Sequence, residues 1–171
     1  MIEHTNSNFN IRIALIHDTD EIYNIENRVF IPHYWSKKTI FNELQSDYSV
    51  YFVYEDLAQS KKIIGYIGYW KISNEGHITT LAIDPLYRKR GFADKLLYKL
   101  ITHARENGIR YLTLEVRASN IAAINLYKKH SFNQIGVRKK YYQNNDEDAL
   151  IFWSEDIRNE GFKLKEENIK C

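Results

Sequence analysis

Leu81-Ala82-Ile83-Asp84-Pro85-Leu86-Tyr87-Arg88-Lys89-Arg90-Gly91-Phe92-Ala93 changes character twice within a short span. Its first residues read as an apolar strand. Asp84-Pro85 breaks that strand, because proline fixes φ and pushes the residue before it out of the helical region. Three basic side chains, a glycine and a small residue follow. Beyond them Leu96, Leu97, Leu100, Ile101 and Ala104 recur on one face at helical spacing. The stretch therefore reads as strand, basic glycine turn, helix. A helix N-terminus carries unpaired N–H groups and partial positive charge, which favour a phosphate. Gly91 lets a ligand approach the main chain, Ala93 keeps the first turn open, and Arg88, Lys89 and Arg90 add charge. Taken alone, the same turn is equally a solvated basic loop that starts a helix, since short glycine motifs recur by chance.

Downstream, Asn107-Gly108 is a helix stop. Residues 111–116 alternate as a strand, with Leu112, Leu114 and Val116 on one face and Tyr111, Thr113 and Glu115 on the other. Ser119 or Asn120 caps a helix over 121–129. Residues 132–137 read as a strand, 138–146 as a polar loop and 148–153 as a last strand. Upstream, residues 77–83 lead into the basic turn and 73–76 form a hairpin turn. Residues 63–72 make a longer strand in which Gly65 and Gly68 mark a bulge or a close approach. Residues 57–62 read as a turn and 50–54 as a strand. Ser36 caps a short helix with Ile40, Phe41 and Leu44 on its apolar side. An earlier helix, with Ile22, Ile25 and Val29 inward, starts from the pair Asp18 and Glu21 and ends at Pro32. Residues 11–15 alternate as the first strand. Strands early and helices interleaved later indicate an α/β chain with a mixed sheet.

A chain of 171 residues favours one domain with a sizeable core. We expect that domain over 1–153, with 154–171 as a charged extension. A formal charge of +2 gives no global field toward nucleic acid, and the basic turn lacks interleaved aromatics. The single cysteine, Cys171, excludes a disulfide framework within the chain and suits a reducing cytoplasm. The N-terminal residues have no basic segment followed by an apolar one, and no apolar run reaches membrane-spanning length. The histidines show no metal-ligand spacing, so no metal is expected.

A second cluster, Glu115-Val116-Arg117-Ala118-Ser119-Asn120-Ile121-Ala122-Ala123-Ile124-Asn125-Leu126-Tyr127, follows the central helix. Glu115 lies near a strand end, where open α/β sheets place ligands. Together with Arg88-x-x-Gly91-x-Ala93, this cluster resembles the GNAT superfamily of acetyl-CoA-dependent N-acetyltransferases. Within it, the chain resembles the RimI type, the ribosomal-protein-alanine N-acetyltransferases. Gly76-His77-Ile78-Thr79 and Tyr141-Tyr142 with Glu147-Asp148-Ala149 are similar to the related Ard1-type Nα-acetyltransferases. The resemblance spans residues 11–153.

The resemblance implies a GNAT fold: a mixed, mostly antiparallel sheet of about seven strands flanked by about four helices, splayed centrally where acetyl-CoA binds. It implies that the main chain of Leu81, Ala82 and Ile83 pairs with the pantetheine arm. Arg88, Lys89, Arg90, Gly91, Phe92, Ala93 and Asp94 would hold the pyrophosphate, and Asn120 and Tyr127 would contact the cofactor. Glu115 matches the general base, Tyr127 the general acid, and Tyr141, Tyr142 and Trp35 the acceptor-binding positions. The implied reaction is acetyl transfer from acetyl-CoA to a protein N-terminus, a ribosomal-protein alanine, by a cytoplasmic monomer or weak homodimer. Alternatives are a small-molecule amine or lysine side chain as acceptor, and a non-catalytic acyl-CoA-binding module.

The chemistry suits those residue types. An α-amine has a pKa of about 7.7–8.0 and lysine about 10.4, so neutralising lysine costs roughly 3.5 kcal/mol more. A carboxylate acting through water is adequate for the former. The oxyanion needs a backbone N–H, available near Ile83. A phenol of pKa about 10 giving its proton to a thiolate of about 8.5 is uphill by roughly 2 kcal/mol, so Tyr127 is expected to stabilise the thiolate before any transfer completes. Structural alternatives stand beside these roles. Without the resemblance, Glu115 reads as a strand-end carboxylate pairing with Arg117 or a lysine, Tyr127 as a core aromatic with a satisfied hydroxyl, and His77 as a strand histidine rather than a base. The chain also departs from its relatives at Ser131, where they have glycine, and at Gln143, where they have proline.

Overall fold

The computed structural model describes residues 8–30 and 35–162. Seven strands and four α-helices alternate among them: β1 (Phe9–Ile13), α1 (Thr19–Val29), α2 (Lys37–Gln45), β2 (Ser49–Asp56), β3 (Lys62–Ile72), β4 (Glu75–Ile83), α3 (Phe92–Glu106), β5 (Tyr111–Arg117), α4 (Ile121–Lys129), β6 (Phe132–Tyr142) and β7 (Glu147–Ser154). The strand order is β1-β2-β3-β4-β5-β7-β6. β1 with β2, β5 with β7 and β6 with β7 run antiparallel, whereas β4 and β5 run parallel. That parallel ladder is short, from Glu75↔Tyr111 to His77↔Thr113. The mixed α/β sheet expected from the sequence is the one observed. Among the described residues no helix is long and apolar enough to cross a membrane.

Residues 8–68 and 80–100 form one compact unit. Ile22 and Ile25 on α1 and Ile40 on α2 pack with Tyr51, Val53, Ile63, Tyr66 and Ala82. Burying each isoleucine contributes about 1.5–3 kcal/mol. Close approach, not a bulge, explains Gly65: a Cβ there would stand 2.5 Å from Ile83 Cδ1 and 2.9 Å from Ala82 O. Ser36 caps α2 as expected, its hydroxyl accepting the Thr39 N–H at 3.0 Å. The pair Asp18 and Glu21 does not form a capping box. Asp18 makes no side-chain cap on α1; it takes the Arg12 guanidinium at 2.6 and 2.9 Å and the Leu15 N–H at 2.7 Å. Glu21 accepts the Ile63 N–H at 2.9 Å. For Asp18, a charged donor on β1 outcompetes a single backbone donor of the helix. Pro32, expected to end the first helix, lies outside the described residues.

Residues 69–79 and 101–162 form the other unit. Leu112, Leu114 and Val116 are buried on one face of β5, as their alternation predicts. Asn120, not Ser119, caps α4, its Oδ1 accepting the Ala123 N–H at 3.2 Å. Ser131, where the resemblance leads one to expect glycine, itself adopts a left-handed φ of 61°. The stretch 138–146, read as a loop, is β-strand through Tyr142, with register shifts and a left-handed Lys140 at φ 52°. Within the presumed charged extension, Ile157 is fully buried and its N–H donates to Arg110 O at 2.9 Å; Phe162 is buried too. Residues 163–171, Cys171 among them, lie outside the described residues.

Candidate active site

The basic turn has the shape its sequence calls for. Asp84 Oδ1 accepts the Leu86 N–H at 3.0 Å, which closes a short 3-10 turn over Pro85–Tyr87. Asp84 itself is buried and paired with Arg28 at 2.9 Å. Tyr87 is pinned by its hydroxyl on Asp56 at 3.2 Å, and Arg90 lies 5.4 Å over its ring. Arg88 Nε bonds the Ile83 carbonyl at 3.3 Å, folding the turn back on the end of β4. Lys89 and Gly91 both have positive φ, 62° and 77°, and the space where a Gly91 Cβ would stand is open. The Lys95 N–H reaches back to Gly91 O at 3.2 Å, so the N–H groups ahead of it on α3 have no helical acceptor. Arg88, Lys89 and Arg90 are all exposed. Open main chain, donors facing outward and three cations fit a diphosphate.

A different constellation surrounds Glu115. It lies on β5 opposite Ile151 of β7, with its side chain only 13% exposed. Its Oε2 is 3.1 Å from His77 Nε2 on β4, and its Oε1 is 3.2 Å from the Arg138 guanidinium on β6. His77 in turn lies near the Trp70 ring, with centroids 5.9 Å apart. Arg117, the expected structural partner of Glu115, is engaged elsewhere. It bonds Glu147 at 2.9 Å and lies 3.8 Å over the Tyr142 ring. His77 thus meets Glu115, and Arg138, which meets it too, had no signal in the sequence. The pairing His77↔Thr113 carries His77 to the face of β5 that holds Glu115, and Arg138 reaches it across β7, through Arg138↔Ala149 and Arg117↔Ala149.

Tyr127 is buried on α4, its ring 5.8 Å from Phe132. Burial pushes its phenol well above the usual range, and Tyr142 adds to the effect. Burial raises Tyr142 as well, with Arg117 opposing and Glu115 among the charges that add to the rise. Tyr142 is thus electrostatically linked to both Glu115 and Tyr127. Tyr141 stands edge-on to Tyr142 with centroids 5.2 Å apart and is exposed. Glu147 is drawn down to about 2 by Ser119 first and then by Arg117. Asn120 spends its side-chain oxygen on the α4 cap. Leu81 is half-buried, and Ala82 and Ile83 are buried. Trp35 is partly buried against the apolar cluster, its N–H donating to Glu26 Oε1 at 3.0 Å. Among the described residues no three His, Cys, Asp or Glu side chains are grouped for a metal.

A mixed sheet whose strand β4 runs into a phosphate-shaped turn at the head of α3 is the frame of a group-transfer enzyme. The sequence profile of the acetyltransferase (GNAT) family matches residues 16–132, and the chain belongs to that family. A Bacillus subtilis relative, provisionally named as a [ribosomal protein bS18]-alanine N-acetyltransferase, is 37% identical over 144 residues, covering 84% of this chain and 93% of that protein. The crystal structure of the ribosomal-protein-S18-alanine N-acetyltransferase from Escherichia coli superposes with a TM-score of 0.80 at 32% identity, over 90% of this chain and 96% of that one. Ard1 from Thermoplasma volcanium superposes with a TM-score of 0.75 at 25% identity, over 85% and 96%.

Proposed function

We propose that the protein transfers the acetyl group of acetyl-CoA to the α-amino group of a protein N-terminus, with a ribosomal-protein alanine as acceptor. The observation that carries this reading is Glu115 held between His77 and Arg138 in a chain whose relatives bear that activity in their names. Acetyl-CoA supplies a thioester whose carbonyl is open to a neutral amine. The chain's own residues do the rest. The turn from Arg88 to Asp94 binds the diphosphate, and Leu81, Ala82 and Ile83 offer main chain to an extended arm. Asn120 lends its amide nitrogen to the same ligand.

Glu115 takes the proton of the incoming ammonium, directly or through one water, and His77 at 3.1 Å shares it. Arg138 balances the carboxylate's charge and fixes its orientation. Tyr127 is a hydrogen-bond donor to the departing sulfur. Its burial holds the phenolic proton tightly, so it stabilises the thiolate without surrendering that proton early. Trp35, Tyr141 and Tyr142 line the acceptor. The same reading takes residues 1–153 as one catalytic domain and 154–171 as its extension.

Mass spectrometry of peptides that begin Ala, Ser, Met or Gly, each with a free and a blocked N-terminus and an internal lysine, tests the proposal. Acetylation confined to the free N-terminus of Ala peptides is the expected result. Modification of the lysine in a blocked peptide would overturn it.

A further inference from the structure

Glu26 is a carboxylate in an apolar core. It is 3% exposed on α1, between Ile22, Ile25 and the partly buried Val29, Phe30 and Trp35. Its two oxygens do different jobs. Oε1 accepts the Trp35 main-chain N–H at 3.0 Å; Oε2 accepts the Tyr66 hydroxyl of β3. Tyr66 is in turn approached by the Thr80 hydroxyl of β4 at 3.4 Å, and Thr80 precedes Leu81. One side chain thus ties the segment that opens α2 to the strand that carries Leu81, Ala82 and Ile83.

Among the described residues, the charged groups on the elements around Glu26 are engaged elsewhere. On α1, Arg28 is engaged with Asp84 and Glu21 with the Ile63 N–H. On α2, Glu43 accepts from Ser49 and Tyr51. A buried carboxylate without a cation is costly unless it works as a hydrogen-bond hub.

We infer that Glu26 is a positioning residue for acceptor binding: its ionised carboxylate grips the Trp35 main chain and the Tyr66 hydroxyl in the arrangement the acceptor peptide requires. This rests on the reading of Trp35 as an acceptor-lining residue. Hydrogen bonds to a charged acceptor are about twice as strong as neutral ones. Protonation places a hydrogen between Glu26 and Tyr66, turns the Tyr66 hydroxyl toward Thr80 and loosens the hold on Trp35. Burial raises the Glu26 carboxyl from 4.5 to about 7, so the exchange falls near neutrality.

The acetylated product peptide has no α-amine, so its binding isolates the protein's own ionisations. Calorimetric affinity for that peptide should fall roughly three- to tenfold in the wild type between about pH 8 and pH 6, and stay flat in Glu26→Gln. Glu26→Gln should also raise the KM for the free peptide several-fold at the higher pH, leaving kcat and the KM for acetyl-CoA in place. That last value reports that the variant is folded. A wild-type affinity independent of pH, an equal pH response in both proteins, or a parallel rise in both KM values would overturn the inference. The acceptor reading fails separately, and takes the inference with it, when wild-type enzyme turns over no N-terminal peptide.

Discussion

Glu26 and Glu115 are both carboxylates with little exposure, and they are solvated by opposite means. Glu26 sits among isoleucines and aromatic rings with two neutral donors and, among the described residues, no paired cation. Glu115 sits at the edge of a polar cluster with a guanidinium on one oxygen and an imidazole on the other. In the first, burial dominates and holds the proton up to about pH 7. In the second, a charge partner and a ring nitrogen share the carboxylate while solvent still reaches it. The contrast separates two uses of one side chain. A dry carboxylate positions main chain, and its charge is gained or lost near neutrality. A cation-paired carboxylate next to an imidazole, still reached by solvent, suits the base proposed for the incoming amine.

The largest effect expected from that contrast is on turnover. Glu115→Gln keeps the size of the side chain and removes its basicity. It should lower kcat by about a hundredfold or more, the usual worth of a positioned base, with acetyl-CoA affinity retained. Steady-state rates on an Ala peptide with both KM values recorded are the measurement. A rate within a few-fold of wild type would reduce Glu115 to a structural ion pair. Tyr127→Phe removes the donor proposed for the departing sulfur and should cost about tenfold to a hundredfold in kcat, since the loss is one hydrogen bond in the transition state.

For Glu26 the expected effect is on stability, and its sign follows from the direction of the shift. Folding raises this carboxyl from 4.5 to about 7, so between those values the folded chain binds more protons than the unfolded one. Its contribution favours folding at low pH and is lost as pH rises through that window. Glu26→Gln does not titrate. The stability of the variant relative to wild type should therefore increase by about 2 kcal/mol from pH 5 to pH 8. Denaturant titrations of both proteins at the two pH values measure it. A constant difference would mean that Glu26 stays charged in the folded chain.

Much of this was legible before any coordinates. β5 alternates buried and half-buried along its whole length, and the face of α1 is plain from Ile22 and Ile25. The turn at Gly91 announces itself by proline, basic residues and glycine in order. What escaped was set by long-range partners. Asp18 and Glu21 have capping-box spacing, yet Arg12 on β1 and Ile63, 42 residues on from Glu21, claim them. β6 is exposed along most of its length and carries no alternation to read, so its second half passed for a loop. His77 was ranked low because only the parallel register with β5 shows what it meets. Arg138 lies in the misread half of β6, which hid it twice over.

The contrast can be sharpened from the Glu115 side by making that residue more like Glu26. Arg138→Gln removes the cation while keeping a donor, and leaves Glu115 with His77. A hydrogen bond to a charged group is worth about 1.5–3 kcal/mol, so a loss of about tenfold in kcat/KM is expected. The peptide KM should carry little of it, because Arg138 acts through Glu115. A change confined to KM would reassign Arg138 to acceptor binding.

The smallest effect comes from the other side, with Tyr66→Phe. The substitution keeps the ring in its apolar setting and deletes the hydroxyl that Glu26 accepts. Two consequences follow from which protonation state needs that hydroxyl. Above about pH 7 the ionised carboxylate loses one of its two donors, a cost of about 1 kcal/mol or somewhat more. Below it, the neutral acid loses only a weak acceptor. The destabilisation by Tyr66→Phe should therefore be greater at pH 8 than at pH 6, and it should nearly vanish in a Glu26→Gln background, where no charge remains to be solvated. Such a double-mutant cycle, read by urea unfolding at both pH values, isolates the pair from the packing around it. Equal destabilisation at both pH values would mean that the hydroxyl serves the core's shape and not the carboxylate's charge, and the line drawn between the two glutamates would then rest on burial alone.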